Sequence, residues 1–214
     1  MKKFLKKYEK YLLPIVQTLK LRTVTRASLD FELHRQFKRL KPGIVLDVGS
    51  KYLPYKKYIP YTKYMALDID KESKPDICCD LHKIKWKSNY FDTVIATNVL
   101  EHLYEPQKAV NEIHRVLKTG GICIISAPFI YPYHASPKDY YRFTQDSLDY
   151  LFKKFSRAEI HHHGNKLQVL WQALTSGEGI GLILHLINPL NPLIAMINFK
   201  KTAWPSGFVV YAKK

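Results

Sequence analysis

Two apolar runs end in groups that can bind a ligand. Val45-Leu46-Asp47-Val48-Gly49 closes on an acid and a glycine, and Tyr64-Met65-Ala66-Leu67-Asp68 closes on an acid about twenty residues later. A glycine at a strand end lets the backbone pass close to a bound molecule as the chain turns. A carboxylate at the end of the next strand can accept both hydroxyls of a ribose. By itself this acid–glycine–acid spacing fits a nicotinamide enzyme equally well. A second set of reactive side chains lies in the run 128–144, where His134 and Asp139 are followed by Tyr140, Tyr141 and Arg142. If an acceptor hydroxyl has to lose a proton, His134 or Asp139 is the base of the right type. Tyr140, Tyr141 and Arg142 are candidates to line the acceptor's place; the alternative is a well-packed aromatic loop with a structural histidine and an Asp–Arg pair. His102 is a further base candidate, or a cap for the helix after it.

The triplet His161-His162-His163 invites a metal reading. Successive strand residues alternate faces, so at most His161 and His163 point together, and no third ligand accompanies them. No metal is expected there. The chain has no phosphate-binding GxxxxGKS/T loop, no nucleophile elbow and no paired-cysteine zinc motif, which sets aside three common enzyme classes.

The elements that position these residues alternate between apolar strands and amphipathic helices. Strands are expected at 44–48, 64–67, 77–79, 93–96, 122–126, 157–162 and 207–212, with helices near 27–40, 106–118 and 145–154. In the helix at 106–118, Ala109, Val110, Ile113, Val116 and Leu117 form one face, and Gly120-Gly121 is expected to end it. Apolar strands separated by helices indicate an α/β fold with a mostly parallel sheet covered on both faces. Residues 2–19 read as a basic amphipathic helix interrupted at Pro14. Residues 1–41 thus form a basic helical extension, 42–214 the main domain, and 165–203 an insertion before the last strand. Within the insertion, 179–198 is mainly apolar, but Pro189 and Pro192 argue for two short helices over a membrane span.

Charge adds a partner class. The chain carries +16, and residues 1–41 hold twelve Lys and Arg against three Asp and Glu. That balance predicts attraction to anions such as acidic lipid headgroups, nucleic acid or an anionic substrate. Lysines interrupt the apolar stretch after Met1, so no secretory signal is expected. Cys78, Cys79 and Cys123 lie in apolar runs and read as reduced thiols of a cytoplasmic protein.

Residues 76–128, DICCDLHKIKWKSNYFDTVIATNVLEHLYEPQKAVNEIHRVLKTGGICIISAP, resemble the signature of class I methyltransferases that use S-adenosyl-L-methionine, in the group related to the ubiquinone-biosynthesis enzymes. The matching features are Asp80-Leu81, Phe91-Asp92-Thr93-Val94, Val99-Leu100-Glu101-His102-Leu103 and Arg115-Val116-Leu117-Lys118 before Gly120-Gly121. The resemblance covers roughly 43–155. It implies a Rossmann-like fold with a seven-stranded sheet and S-adenosyl-L-methionine as cofactor. It further implies that Gly49 and the turn after Asp47 shape the methionine pocket, that Asp68 holds the ribose, that Asp80 and Leu81 contact adenine, and that Asn98 lies near the methionine portion. Lys51 stands where the family has a second glycine. It would either pair with the cofactor's carboxylate or crowd the pocket, although Pro54-Tyr55-Lys56 resembles a subgroup with such a run. The run from His134 to Thr144 is similar to a segment of methyltransferases linked to surface-polysaccharide or lipid-linked glycan assembly. The expectation is therefore O-methylation of a small or lipid-linked glycan acceptor at the cytoplasmic membrane face. The alternatives are an RNA methyltransferase, motivated by charge alone, and a non-catalytic scaffold, motivated by Lys51.

Overall fold

Strands that are apolar on both faces need cover on both faces, and a parallel sheet flanked by helices provides it. The computed structural model of the chain describes residues 23–135, 137–175, 191–197 and 202–214. Its sheet has seven strands in the order β3-β2-β1-β4-β5-β7-β6. They are β1 (Ile44–Val48), β2 (Lys63–Asp68), β3 (Ile77–Cys78), β4 (Phe91–Thr97), β5 (Leu117–Pro128), β6 (Arg157–His163) and β7 (Gly207–Lys213). β1 pairs in parallel with β2 and β4, β2 with β3 and β4 with β5, whereas β7 runs antiparallel to β5. The α/β, Rossmann-like expectation holds. The helices are α1 (Val24–Phe37), α2 (Pro106–Val116), α3 (Gln145–Leu151), α4 (Lys166–Thr175) and α5 (Asn191–Met196).

The helix expected at 106–118 ends earlier and for a different reason. α2 stops at Val116, Leu117 is already extended, and Gly120-Gly121 lies inside β5. The register between β4 and β5 shifts between Phe91 and Thr93. At Gly121 a Cβ would come 2.8 Å from the Lys118 carbonyl oxygen. The glycines therefore serve this irregularity and not a helix cap. Pro106 starts α2 at a position where its missing N–H is not needed. Ala109, Val110, Ile113 and Val116 are buried in the main core, with Val94, Leu100 and Ile125.

Two contact units can be distinguished. One comprises residues 32–162 and 207–214, the other residues 1–31 and 163–206. In the second, Gln168 donates through Nε2 to the carbonyls of Ile194 (2.9 Å), Ala195 (3.1 Å) and Ile197 (3.0 Å), closing the C-terminal end of α5. Trp171 Nε1 donates to Asn191 Oδ1 at 2.9 Å. The 165–203 segment is thus helical where it is described. The expected helix at 2–19 and residues 179–190 of the apolar run lie outside the described residues. Among the described residues no helix is long and apolar enough to cross a membrane.

Candidate functional site

Parallel strands end at one edge, so the residues that follow them gather there. Val48 is in register with Leu67 of β2 and with Ala96 of β4. Gly49, Asp68 and Asn98 consequently sit side by side on the wall of a cavity of about 630 Å³. Asp80, Leu81, His102 and Tyr140 complete the part of the wall discussed below. A volume of this size is typical of a small-molecule or cofactor site.

Gly49 has φ +66°, and a Cβ there would approach Val99 Cγ2 to 2.7 Å. The bare backbone is needed both for the turn and for the space beside it. Asn98 also adopts a left-handed conformation, φ +53°. It is held to β5 by its N–H, which donates to the Ser126 carbonyl, and by Oδ1, which accepts from Ser126 Oγ at 2.7 Å. Its amide NH2 is left for a ligand. Asp68 Oδ1 accepts the Asp70 N–H at 2.9 Å. One oxygen of Asp80, Oδ1, accepts from the His82 backbone at 2.8 Å and lies 2.6 Å from His82 Nδ1, so a ligand's amino group would use Oδ2.

Lys51 turns to Asp70, with Nζ 3.0 Å from Oδ2, on the exposed rim. That hydrogen bond raises Lys51, while the Glu72 N–H and then Lys51 lower Asp70. The cavity is open with Lys51 in place.

Asp47 lies beneath this floor, almost wholly buried, and does not line the cavity. Tyr64 donates its hydroxyl to Asp47 Oδ2 at 2.6 Å. Desolvation pushes the Asp47 carboxyl up to about 6, against the hydrogen bonds from Tyr64 and Ser50. Folding thus favours its protonated form. This contribution is full below the unfolded value of 3.8 and is lost as pH rises through about 6. Asp47→Asn is therefore expected to be more stable than the parent at neutral pH by up to roughly 3 kcal/mol. The gain should vanish below about pH 4. Thermal melting across pH checks this, and an equal effect at all pH would contradict it.

The run 128–144 follows β5 and meets the turn after β4. Arg142 donates to Asp139 from both terminal nitrogens, at 2.5 and 2.6 Å. It also donates to the carbonyls of Tyr131, Pro132 and Tyr141. Its donors are thereby committed within the loop, which corrects the expectation that Arg142 would bind the acceptor. The Asp139 side chain is shielded from water in a half-buried residue, and the Arg142 guanidinium holds its carboxyl well below the usual carboxylate range. Its oxygens also accept the His134 N–H at 2.9 Å. This fits an orienting carboxylate and not the proton acceptor expected. Tyr141 donates its hydroxyl to the Tyr104 carbonyl, and Tyr140 is exposed on the cavity wall.

His134 stands between two acids: Nε2 is 3.6 Å from Glu101 Oε1 and Nδ1 is 3.6 Å from Asp139 Oδ2. Both acids raise its pKa, Glu101 the more strongly. His102 belongs to a short 3-10 turn, Leu100–His102, and does not cap α2, whose N-cap is Glu105. Its Nδ1 lies 2.5 Å from the Lys138 carbonyl oxygen. Of the triplet, His161 is 3.4 Å from Glu159, and His163 Nδ1 is 3.3 Å from Ser28 Oγ.

Asp70, which the sequence offers as an exposed alternative to Asp68, restrains Lys51. Sequence reasoning missed two contributors. His82 is buried against Asp80 and packs on Tyr104 with ring centroids 4.3 Å apart. Glu101 is fully buried. Glu101 was visible inside Val99-Leu100-Glu101-His102-Leu103, but nothing in the local pattern marks its burial.

A family model described as "Methyltransferase domain" matches residues 46–125. An uncharacterised protein of Methanocaldococcus jannaschii is 33% identical over 100 residues, which are 44% of this chain and 44% of that protein. The chain thus aligns with less than half the length of that relative. Among solved structures, an S-adenosyl-L-methionine-dependent methyltransferase from Archaeoglobus fulgidus matches with a TM-score of 0.55 at 16% identity, covering 99% of each chain. Phosphoethanolamine N-methyltransferase 2 of Haemonchus contortus, in complex with S-adenosyl-L-methionine, matches with a TM-score of 0.55 at 15% identity, over 86% of this chain and 51% of that one. At such identities the likeness is one of fold.

Proposed function

From the family match over residues 46–125 we infer that the chain is a methyltransferase using S-adenosyl-L-methionine, and we propose that it methylates a hydroxyl of a small or lipid-linked glycan acceptor. The observation that carries this reading is the composition of the cavity wall. The wall presents Gly49, Asp68, Asp80 and Asn98 together with His102 and Tyr140, and His134 lies edge-on to His102. The donor set fits the cofactor. The bare Cα of Gly49 would keep room for it, Asp68 would accept the ribose hydroxyls, Asp80 and Leu81 would face adenine, and the Asn98 amide would meet the methionine part.

When bound, S-adenosyl-L-methionine would supply an electrophilic methyl group for an acceptor oxygen, the C–S bond breaking as the C–O bond forms. The chain's part is to align the two partners, because an in-line displacement gains most from positioning. His134 receives the hydroxyl proton, held in orientation by Asp139, and Tyr140 lines the acceptor's place. A basic stretch at residues 1–41 would bring the protein to an acidic bilayer, where a lipid-linked acceptor resides. Fold alone does not select the acceptor.

Calorimetry on the full chain should give micromolar S-adenosyl-L-methionine binding. Radiolabelled methyl transfer to lipid-linked and free sugars should then yield an alkali-stable methyl ether. His134→Ala should lower kcat roughly 100-fold or more with cofactor affinity unchanged. Cofactor binding with transfer only to RNA would replace the acceptor class. No binding would favour the scaffold.

A further inference from the structure

We propose that Glu101, His102 and His134 form a binding site for a divalent transition-metal ion of the zinc type, bordering the cofactor cavity. β4 and β5 are parallel neighbours, so the turn after one and the loop after the other meet at the same edge. That topology brings together an adjacent Glu-His pair and a histidine thirty-two positions after the pair's second member. One ligand atom from each of the three lies within 4.8 Å of the others, the only such set among the described residues.

The geometry matches a metal centre. Glu101 Oε1 lies 3.9 Å from His102 Nε2 and 3.6 Å from His134 Nε2. Ligands bound tetrahedrally at about 2.0–2.1 Å lie about 3.4 Å from one another. Small side-chain adjustments therefore suffice to close the cluster on an ion.

Burial gives the second, independent indication. Glu101 is fully buried, and neither carboxylate oxygen accepts a hydrogen bond among the described residues. A buried carboxylate that accepts no hydrogen bond is stable either protonated or with a cation at close range, and two imidazole nitrogens of the kind that bind metal ions face this one. The outer contacts also have the form found around bound metals. His102 Nδ1 lies against the Lys138 carbonyl, which places the proton on Nδ1 and leaves Nε2 as ligand. His134 Nδ1 faces the carboxylate of Asp139, itself clamped by Arg142.

Two imidazoles and one carboxylate suit zinc, cobalt or manganese, whereas magnesium and calcium call for oxygen ligands. With three protein ligands, a coordination position remains open. His102 lines the cavity, so a hydroxyl acceptor could fill that position. Here the inference rests on the O-methylation reading. The ion would acidify the bound hydroxyl and release its proton to solvent, and His134 would then act as ligand in place of base.

The test uses the full chain, stripped with EDTA and titrated with Zn2+ by calorimetry, then with Co2+ followed by its visible absorption. One Zn2+ per chain and a tetrahedral Co2+ spectrum are expected. His134→Ala and Glu101→Gln should weaken Zn2+ binding roughly 100-fold or more. His134 is partly exposed, so His134→Ala should keep the parent's circular dichroism and cofactor affinity, and it guards against misfolding of the Glu101 variant. No stoichiometric ion, or equal affinity in His134→Ala, would overturn the site and leave a carboxylate–imidazolium pair. Cofactor binding by the stripped chain separates the two readings. Cofactor without zinc removes only the metal site, and zinc without cofactor removes only the methyltransferase reading.

Discussion

Asp68→Ala is expected to raise the dissociation constant for S-adenosyl-L-methionine by roughly 100- to 1,000-fold. The carboxylate stands at the end of β2, on the cavity wall, where it would accept two ribose hydroxyls. Hydrogen bonds to a charged group contribute about 1.5–3 kcal/mol each, and about 1.4 kcal/mol corresponds to a tenfold change in affinity. Within the protein, Asp68 accepts the Asp70 N–H, so the variant should melt close to the parent. Asp68→Asn keeps an acceptor without the charge and should fall between the two. Calorimetry decides the matter: unchanged affinity in Asp68→Ala would remove Asp68 from the ribose site.

Arg142→Ala is expected to lower stability by about 3–5 kcal/mol, because it leaves a buried charge without its partner. The Asp139 side chain is 1% exposed, and its two oxygens accept from both terminal nitrogens of Arg142. The carbonyls of Tyr131, Pro132 and Tyr141 lose their donor as well. Arg142→Lys should rescue only in part, since an ammonium cannot reproduce the planar fork. Removing Asp139 together with Arg142 should recover part of the loss. The pH dependence has a definite sign. Arg142 depresses the Asp139 pKa, so the pair contributes stability above the ordinary carboxylate value of 3.8, and the contribution is lost as pH falls below it. Denaturant unfolding checks these outcomes. A variant that keeps parent stability but loses acceptor turnover would restore Arg142 as a substrate ligand.

The sheet was legible because its strands are short apolar runs and their period is local. The meeting of Gly49, Asp68 and Asn98 on one cavity wall was legible for a related reason. Gly49, Asp68 and Asn98 each stand at or just after a strand end, so knowing the strands nearly places the residues. The end of α2 was misread because a Gly-Gly pair after an amphipathic helix looks the same whether it caps the helix or relieves a strand irregularity. Only the approach of a Gly121 Cβ to the Lys118 carbonyl distinguishes the two.

The chemistry beyond the cofactor depended on contacts between segments far apart in sequence. Asp139 and Arg142, three residues apart, were readable either as substrate groups or as a pair within the loop, and only the fold shows the pair made and the Asp139 side chain shut from water. Glu101 was one letter in a family pattern until burial removed its water and set His102 and His134 around it. The sequence by itself determined the strand ends, and through them which residues share the cavity wall, because strand periodicity and glycine's access to positive φ act over a few residues. The tertiary structure alone decided which charges are paired, buried or left facing a histidine. Electrostatic energies are set by distance and solvent exclusion, and neither quantity is encoded locally.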